Sequence, residues 1–193
     1  VAGGCRAKTP EEIFIIAQNE INDIKSYCAT LTYTVVDDGE EREYRLKQWV
    51  VLPDHFKIQL LNPENLAGKS ITSDGEEILV EHSKFDDALK LGMGSLKQQR
   101  PLFIGDFLNT FWLSEEVEKK IHIEEAVEYI VLVCSYRSVD VVEGNQELWL
   151  RYPKIVPTKL IAYDDEGNIS SKIIFEEFDA NWEAEEGFFD LGD

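Results

Sequence analysis

The chain has 193 residues, 44% of them hydrophobic and 11% aromatic, enough for one domain with its own core and too apolar for a disordered polypeptide. Thirty-eight acidic groups against nineteen basic ones leave a formal charge of −19. A field of that sign repels phosphate backbones, which excludes nucleic acid as a partner class and favours basic proteins or cations.

The chain opens Val1-Ala2-Gly3-Gly4-Cys5 without an initiator Met, which reads as the tail of a processed precursor. Small residues just before a cysteine resemble the cleavage box of bacterial lipoproteins, with Ala2 standing where Leu is usual. Residues 1–8 are therefore expected to form a flexible lipoprotein tether, with Cys5 the lipidation site. A diacylglyceryl-type modification supplies more than the single chain that anchors only marginally. No stretch reaches the length of a spanning helix.

Thr9-Pro10-Glu11-Glu12 is a helix start, with an N-cap threonine, proline in the first turn and a glutamate placed for a capping box. Ile13, Ile16, Ala17, Ile21 and Ile24 recur at helical spacing, so the helix is predicted to run to Lys25. From Tyr27 the period becomes two: Tyr27, Ala29, Leu31, Tyr33 and Val35 alternate with Cys28 and threonines. After a turn at Asp37-Asp38-Gly39, a second strand is expected over Arg42–Leu52, with Tyr44, Leu46, Gln48 and Val50 on one face. His55–Leu61 makes a third, and Lys69–Ser73 with Glu77–Glu81 form a hairpin across Asp74-Gly75.

Phe85–Leu91 has weak helical character, ended by Gly92-Met93-Gly94. Past Pro101, the residues Phe103, Ile104, Phe107, Leu108, Phe111 and Trp112 trace a broad aromatic stripe on one helix. Strands resume at Tyr129–Tyr136, Gln146–Arg151, Thr158–Tyr163 and Ile169–Phe178, with Val139–Asn145 a loop or edge. Residues 182–193 are glutamate-rich and read as an acidic tail without a clear element. About nine short strands joined mostly by tight turns make an α+β fold. Its expected form is one strongly curved, mainly antiparallel sheet, a half-open barrel with helices on the concave side.

Chemistry is hard to place on this chain. His55, His82 and His122 are far apart and lack metal-ligand spacing. Cys28 and Cys134 lie in strands without an adjacent base, and their spacing does not decide whether they pair; free thiols are the simpler expectation. No nucleophile elbow or phosphate-cradling glycine loop is present, and the many carboxylates select no acid–base pair. Asp164-Asp165-Glu166-Gly167-Asn168 lacks the calcium-loop pattern and reads as a turn. The chain is thus read as non-enzymatic, with no catalytic residue, metal or cofactor. Phe103, Phe107, Phe111 and Trp112, with Tyr44 and Leu46 opposite, are candidates for a hydrophobic cavity or a partner face, or simply for core.

Several motifs, in order, resemble the LolA-like lipoprotein-sorting family: Thr9-Pro10-Glu11-Glu12-Ile13, Ile24-Lys25-Ser26-Tyr27, Lys47-Gln48-Trp49 with Pro53-Asp54-His55-Phe56-Lys57-Ile58, and Asn62-Pro63-Glu64 with Ser73-Asp74-Gly75. Glu147-Leu148-Trp149-Leu150, Pro157-Thr158-Lys159-Leu160 and Phe175-Glu176-Glu177-Phe178 extend the likeness, so residues 9–181 are taken as the domain. The resemblance implies a half-open barrel with a hydrophobic cavity. With a cysteine tether it is closer to the sporulation and germination lipoproteins of Gram-positive bacteria, the germination lipoprotein S branch.

That branch implies an extracytoplasmic, membrane-anchored protein, in the spore intermembrane space. It would bind or activate a protein partner, a cortex-lytic N-acetylmuramoyl amidase, in cortex processing. Exposed edge strands add a homodimer by strand pairing or exchange as a further expectation. The alternative is a carrier or sensor of acyl ligands in the barrel.

Overall fold

The computed structural model describes residues 8–37, 39–83, 88–92, 103–114, 116–138 and 141–192. The first helix, α1 (Pro10–Asn22), starts as its sequence dictates: Thr9 Oγ1 accepts from the Glu12 amide at 3.3 Å, and Glu12 Oε2 accepts from the Thr9 amide at 2.8 Å. Two of the amides that a helix start leaves unpaired are thereby satisfied. Ile13, Ala17 and Ile21 lie along one face and are buried.

Five strands follow in a meander: β1 (Ser26–Asp37), β2 (Glu40–Val51), β3 (His55–Asn62), β4 (Lys69–Asp74) and β5 (Glu77–His82), with β6 (Leu89–Gly92) as its outer edge. Helix α2 (Ile104–Leu113) then leads to the opposite edge of the sheet. From there β7 (Val117–Glu124), β8 (Val127–Ser138), β9 (Val141–Tyr152), β10 (Val156–Tyr163) and β11 (Ile169–Ala180) return to the centre, where β11 pairs with β1. The order is β6-β5-β4-β3-β2-β1-β11-β10-β9-β8-β7. Every ladder is antiparallel. Because β6 and β7 do not pair, the sheet is an open half-barrel, as the sequence reading expects.

Alternation sets the faces. Tyr27, Ala29 and Leu31 of β1, Leu46, Gln48 and Val50 of β2, and Leu148 and Leu150 of β9 are buried against α1 and α2 in one core cluster. The opposite parity, including Lys47, Trp49, Lys57 and Trp149, faces outward on the convex side.

Several expectations change. The segment read as weakly helical, Phe85–Leu91, contributes strand β6 from Leu89, and residues 84–87 lie outside the described set. A further strand, β7, occupies residues without an assigned element. Val141–Asn145, read as loop or edge, belongs to β9. The edge strands share a cause. All of β6 and all of β7 but Ile121 are exposed; β6 is only four residues long and Lys119 interrupts the apolar parity of Val117, Ile121 and Ile123 in β7, so the alternation that marks a half-buried strand is short or broken in both. Helix α1 also ends at Asn22, before Lys25, because the chain must turn into β1 at Ser26.

The segment after β11 packs on the convex face. Asn181 takes a left-handed conformation, φ 58°. Its amide donates to the Ser26 carbonyl at 2.7 Å and its Oδ1 accepts from the Lys25 amide at 3.1 Å. The chain then crosses one transverse row, Trp49, Lys57, Thr72, Leu79 and Lys90, which are successive register partners on β2 to β6. Phe188 meets Trp49 at 5.8 Å between ring centroids, with Lys57 Nζ 5.4 Å from its own ring. Phe189 sets its ring edge to His55 at 5.9 Å and is buried. Lys90 Nζ donates to the Gly192 carbonyl at 3.0 Å. The stretch read as an acidic tail thus forms a strap held by its aromatic residues.

Candidate partner-binding surfaces

Helix α2 occupies the concave side. Phe103 at its N-cap position has no side-chain hydrogen bond to offer. Instead the Ile104 amide donates to the phenol oxygen of Tyr27, and the phenol lies 3.3 Å from Gln48 Oε1. Complete burial pushes the Tyr27 phenol well above its ordinary range.

Of the six aromatic and apolar residues singled out in the sequence, Phe107, Phe111 and Leu46 lie in the core cluster. Phe103 and Tyr44 are partly buried against it, and Trp112 is 42% exposed. Phe103 meets Phe56 at 4.9 Å, Phe107 stacks on Phe111 at 5.8 Å, and Trp112 sets its edge to Phe111 at 5.0 Å. Cys5, the expected lipidation site, lies outside the described residues.

At the rim, the end of α2 and the start of β7 leave Trp112, Leu113 and Val117 exposed, Leu113 by 85%. Ser114 Oγ ties this corner together, donating to the Glu116 carbonyl at 3.0 Å. Beside it runs the outer edge of β7, whose outer backbone groups have no ladder partner among the described residues. The sequence signal for this edge was only Val117, Ile121 and Ile123 at spacings of two and four among charges. On the flank of α1 a shallow groove of about 500 Å³ is lined by Lys8, Glu12, Ile15 and Ile16.

The convex face carries the polar chemistry. Arg45 makes a bidentate pair with Glu176, 2.7 Å at its shortest, and Thr32 Oγ1 donates to the same carboxylate at 2.8 Å. These donors hold the Glu176 carboxyl below the usual glutamate range. Over β7 to β10, Trp149 is ringed by His122 at 4.9 Å and Tyr129 at 5.8 Å, with Lys159 Nζ 4.7 Å from its ring.

Cys28 on β1 and Cys134 on β8 are free thiols. They stand on opposite faces, with β11, β10 and β9 between their strands. Four strand spacings of about 4.8 Å far exceed the span of a disulfide. His55 and His122 stand in opposite halves of the sheet, and no group of His, Cys, Asp or Glu among the described residues is arranged to hold a metal. Asp164 Oδ1 accepts from the Asn168 amide at 2.8 Å and the Glu166 amide at 3.0 Å, which closes that loop as a turn.

Several solved structures share this architecture. A putative outer membrane lipoprotein-sorting protein domain from Vibrio parahaemolyticus is 13% identical over 94% of this chain and 97% of its own, with a TM-score of 0.51. The MucA/MucB complex of Pseudomonas aeruginosa contains a chain 13% identical, matched over 93% of this chain and 60% of its own, with a TM-score of 0.53. The CwlD amidase from Clostridioides difficile in complex with the GerS lipoprotein includes a chain 25% identical, over 94% and 99%, at a TM-score of 0.44. No curated protein sequence matches this chain. The fold is that of the lipoprotein-sorting, LolA-like proteins, and with residues 1–189 matching the family described as "Sporulation protein YdcC-like", the chain belongs to that family.

Proposed function

We propose that this chain is a non-catalytic partner-binding module, extracytoplasmic and anchored through an acylated Cys5, that positions or activates a protein in spore-cortex processing or germination. The observation that carries the reading is the contrast between interior and rim. The concave side is filled by Ile13, Ala17, Ile21, Phe107 and Phe111, whereas Trp112, Leu113 and Val117 stand exposed beside an unpaired strand edge. Apolar surface next to free backbone donors and acceptors suits strand addition by a partner. Membership of a sporulation family supports the setting, and the MucA/MucB complex is a case of this fold held with a protein partner. A cortex amidase is the partner that the motif resemblance implies, and a homodimer through the β7 edge is the second assembly it admits.

The test is capture of partners from sporulating cells by the full chain at low and high salt, followed by size-exclusion of the chain mixed with a cortex amidase. Co-elution that is lost in Leu113→Asp supports the proposal; no partner at either salt sinks it. Acyl labelling of the full-length precursor, with Cys5→Ala as control, decides the anchor.

The groove on α1, lined in part by Ile15 and Ile16, favours a second reading, carriage or sensing of acyl ligands. Native mass spectrometry of the purified protein decides it: a bound lipid mass supports carriage, and a consistently empty protein argues against it.

A further inference from the structure

The strap shows what the convex face accepts. Along the row it crosses, Trp49 pairs in register with Lys57, and Lys47 Nζ lies 4.9 Å from the Trp49 ring. The segment seated there, Trp-Glu-Ala-Glu-Glu-Gly-Phe-Phe-Asp, combines carboxylates with adjacent aromatic rings. Phe188 covers Trp49 while Lys57 caps Phe188.

The other half of the same face repeats the arrangement, and among the described residues no strap crosses it. Trp149 pairs in register with Lys159 on one side and Val131 on the other, and Val131 pairs with Lys120. Lys159 Nζ stands 4.7 Å from the Trp149 ring. This platform is fixed in advance: Trp149 Nε1 donates to Glu147 Oε2 at 3.0 Å, the Tyr163 hydroxyl lies 3.2 Å from the same oxygen, and Lys159 pairs with Glu124 at 2.8 Å. Rings held by their neighbours lose little freedom on binding. Lys120, Arg151 and Lys172 flank it; Lys120 pairs with Glu118 at 3.0 Å, as Lys159 does with Glu124, so the cations of this face stand among carboxylates that an incoming acidic segment exchanges for its own.

We propose that the Trp149–Lys159 platform is a docking site for an acidic linear segment of a partner protein that carries adjacent aromatic residues. The partner's ring lies on Trp149 beside Lys159, as Phe188 lies on Trp49 beside Lys57, and its carboxylates face Lys120, Arg151 and Lys172. This deepens the reading of the chain as a partner-binding module and rests on it.

The probe is a labelled synthetic peptide of residues 182–193, titrated into the full chain, whose own strap already fills the Trp49 platform. Saturable binding that weakens about tenfold or more in both Trp149→Ala and Lys159→Glu, and in a peptide with both phenylalanines replaced by alanine, is the expected result. No saturation by about 1 mM, or equal binding by wild type and Lys159→Glu, overturns the proposal. Lys159→Glu alters an outward-facing side chain, so it decides the matter even where Trp149→Ala does not fold. The two readings fail separately. Capture of no partner from cells overturns the module, whereas a partner captured equally by wild type and Lys159→Glu overturns only this face.

Discussion

The Tyr27 hydroxyl lies 3.3 Å from Gln48 Oε1 in the centre of the core, and the amide that opens α2 donates to its oxygen. One buried phenol thereby joins β1, β2 and the crossover helix. Tyr27 also stacks on Phe178 of β11 at 5.1 Å. Tyr27→Phe leaves the ring in place but strips the Ile104 amide of its acceptor and Gln48 of a partner. Its cost is expected at about 1–3 kcal/mol, the usual penalty for a buried polar group left unmatched. Urea unfolding measures it; a change below about 0.5 kcal/mol would show that the relay is incidental.

The β7–β8 turn offers a gain in stability. Glu125 and Ala126 both take positive φ, 50° and 63°, because a two-residue hairpin turn that follows the sheet twist requires it. Neither residue suits that conformation. The double change Glu125→Asn, Ala126→Gly is expected to stabilise by about 1 kcal/mol, read as a rise of roughly 2–4 °C in Tm. A lower Tm would refute the turn assignment.

Acid should find the Arg45–Glu176 pair. The carboxylate is held below its ordinary range by Arg45 first and Thr32 second. A depressed carboxyl stabilises the fold above its unfolded value, and that contribution is lost as pH falls through the folded value. Wild type is therefore expected to exceed Glu176→Gln in stability at pH 7, with the gap closing at and below about pH 4. The gap stays under about 1 kcal/mol because the pair is solvent-exposed. A gap independent of pH would exclude the charge as its source.

Thiol reactivity should separate the two strand cysteines. Burial pushes Cys134 up to about 12. Cys28, half-buried on the convex face, is also raised by burial, with Lys47 partly offsetting it. Near pH 8, alkylation should modify Cys28 slowly and Cys134 only once urea unfolds the chain. Peptide mapping of the adducts checks this, and equal native rates at both sites would contradict their placement.

The strap makes the fifth structural test. Phe189 is 8% exposed, so Phe188→Ala with Phe189→Ala is expected to cost several kcal/mol, about the range for buried phenylalanines. It should also red-shift tryptophan emission by baring Trp49. An unchanged spectrum and Tm would mean that the segment does not pack in solution.

Local chemistry alone accounts for a good part of this fold. Thr9, Pro10 and Glu12 specify the start of α1, and the alternation from Tyr27 to Leu61 names the faces of β1 to β3, because each strand buries one side only. The stripe from Phe103 to Trp112 likewise marks α2 as a helix with a broad apolar side. It does not say that Phe107 is wholly buried while Trp112 stands at the rim, since that depends on where the sheet's open edge lies.

Other features exist only in three dimensions. Strands β6 and β7 are solvated on both faces and carry only a short or broken period, Leu89 and Leu91 in one and Val117, Ile121 and Ile123 in the other. The pairing of β1 with β11 joins the two ends of the domain, and alternation specifies a face, never a distant partner. Phe188 and Phe189 sit among carboxylates in an aperiodic stretch. Only the register row from Trp49 to Lys90 reveals what they cover, and only its counterpart around Trp149 shows an equivalent surface left open among the described residues.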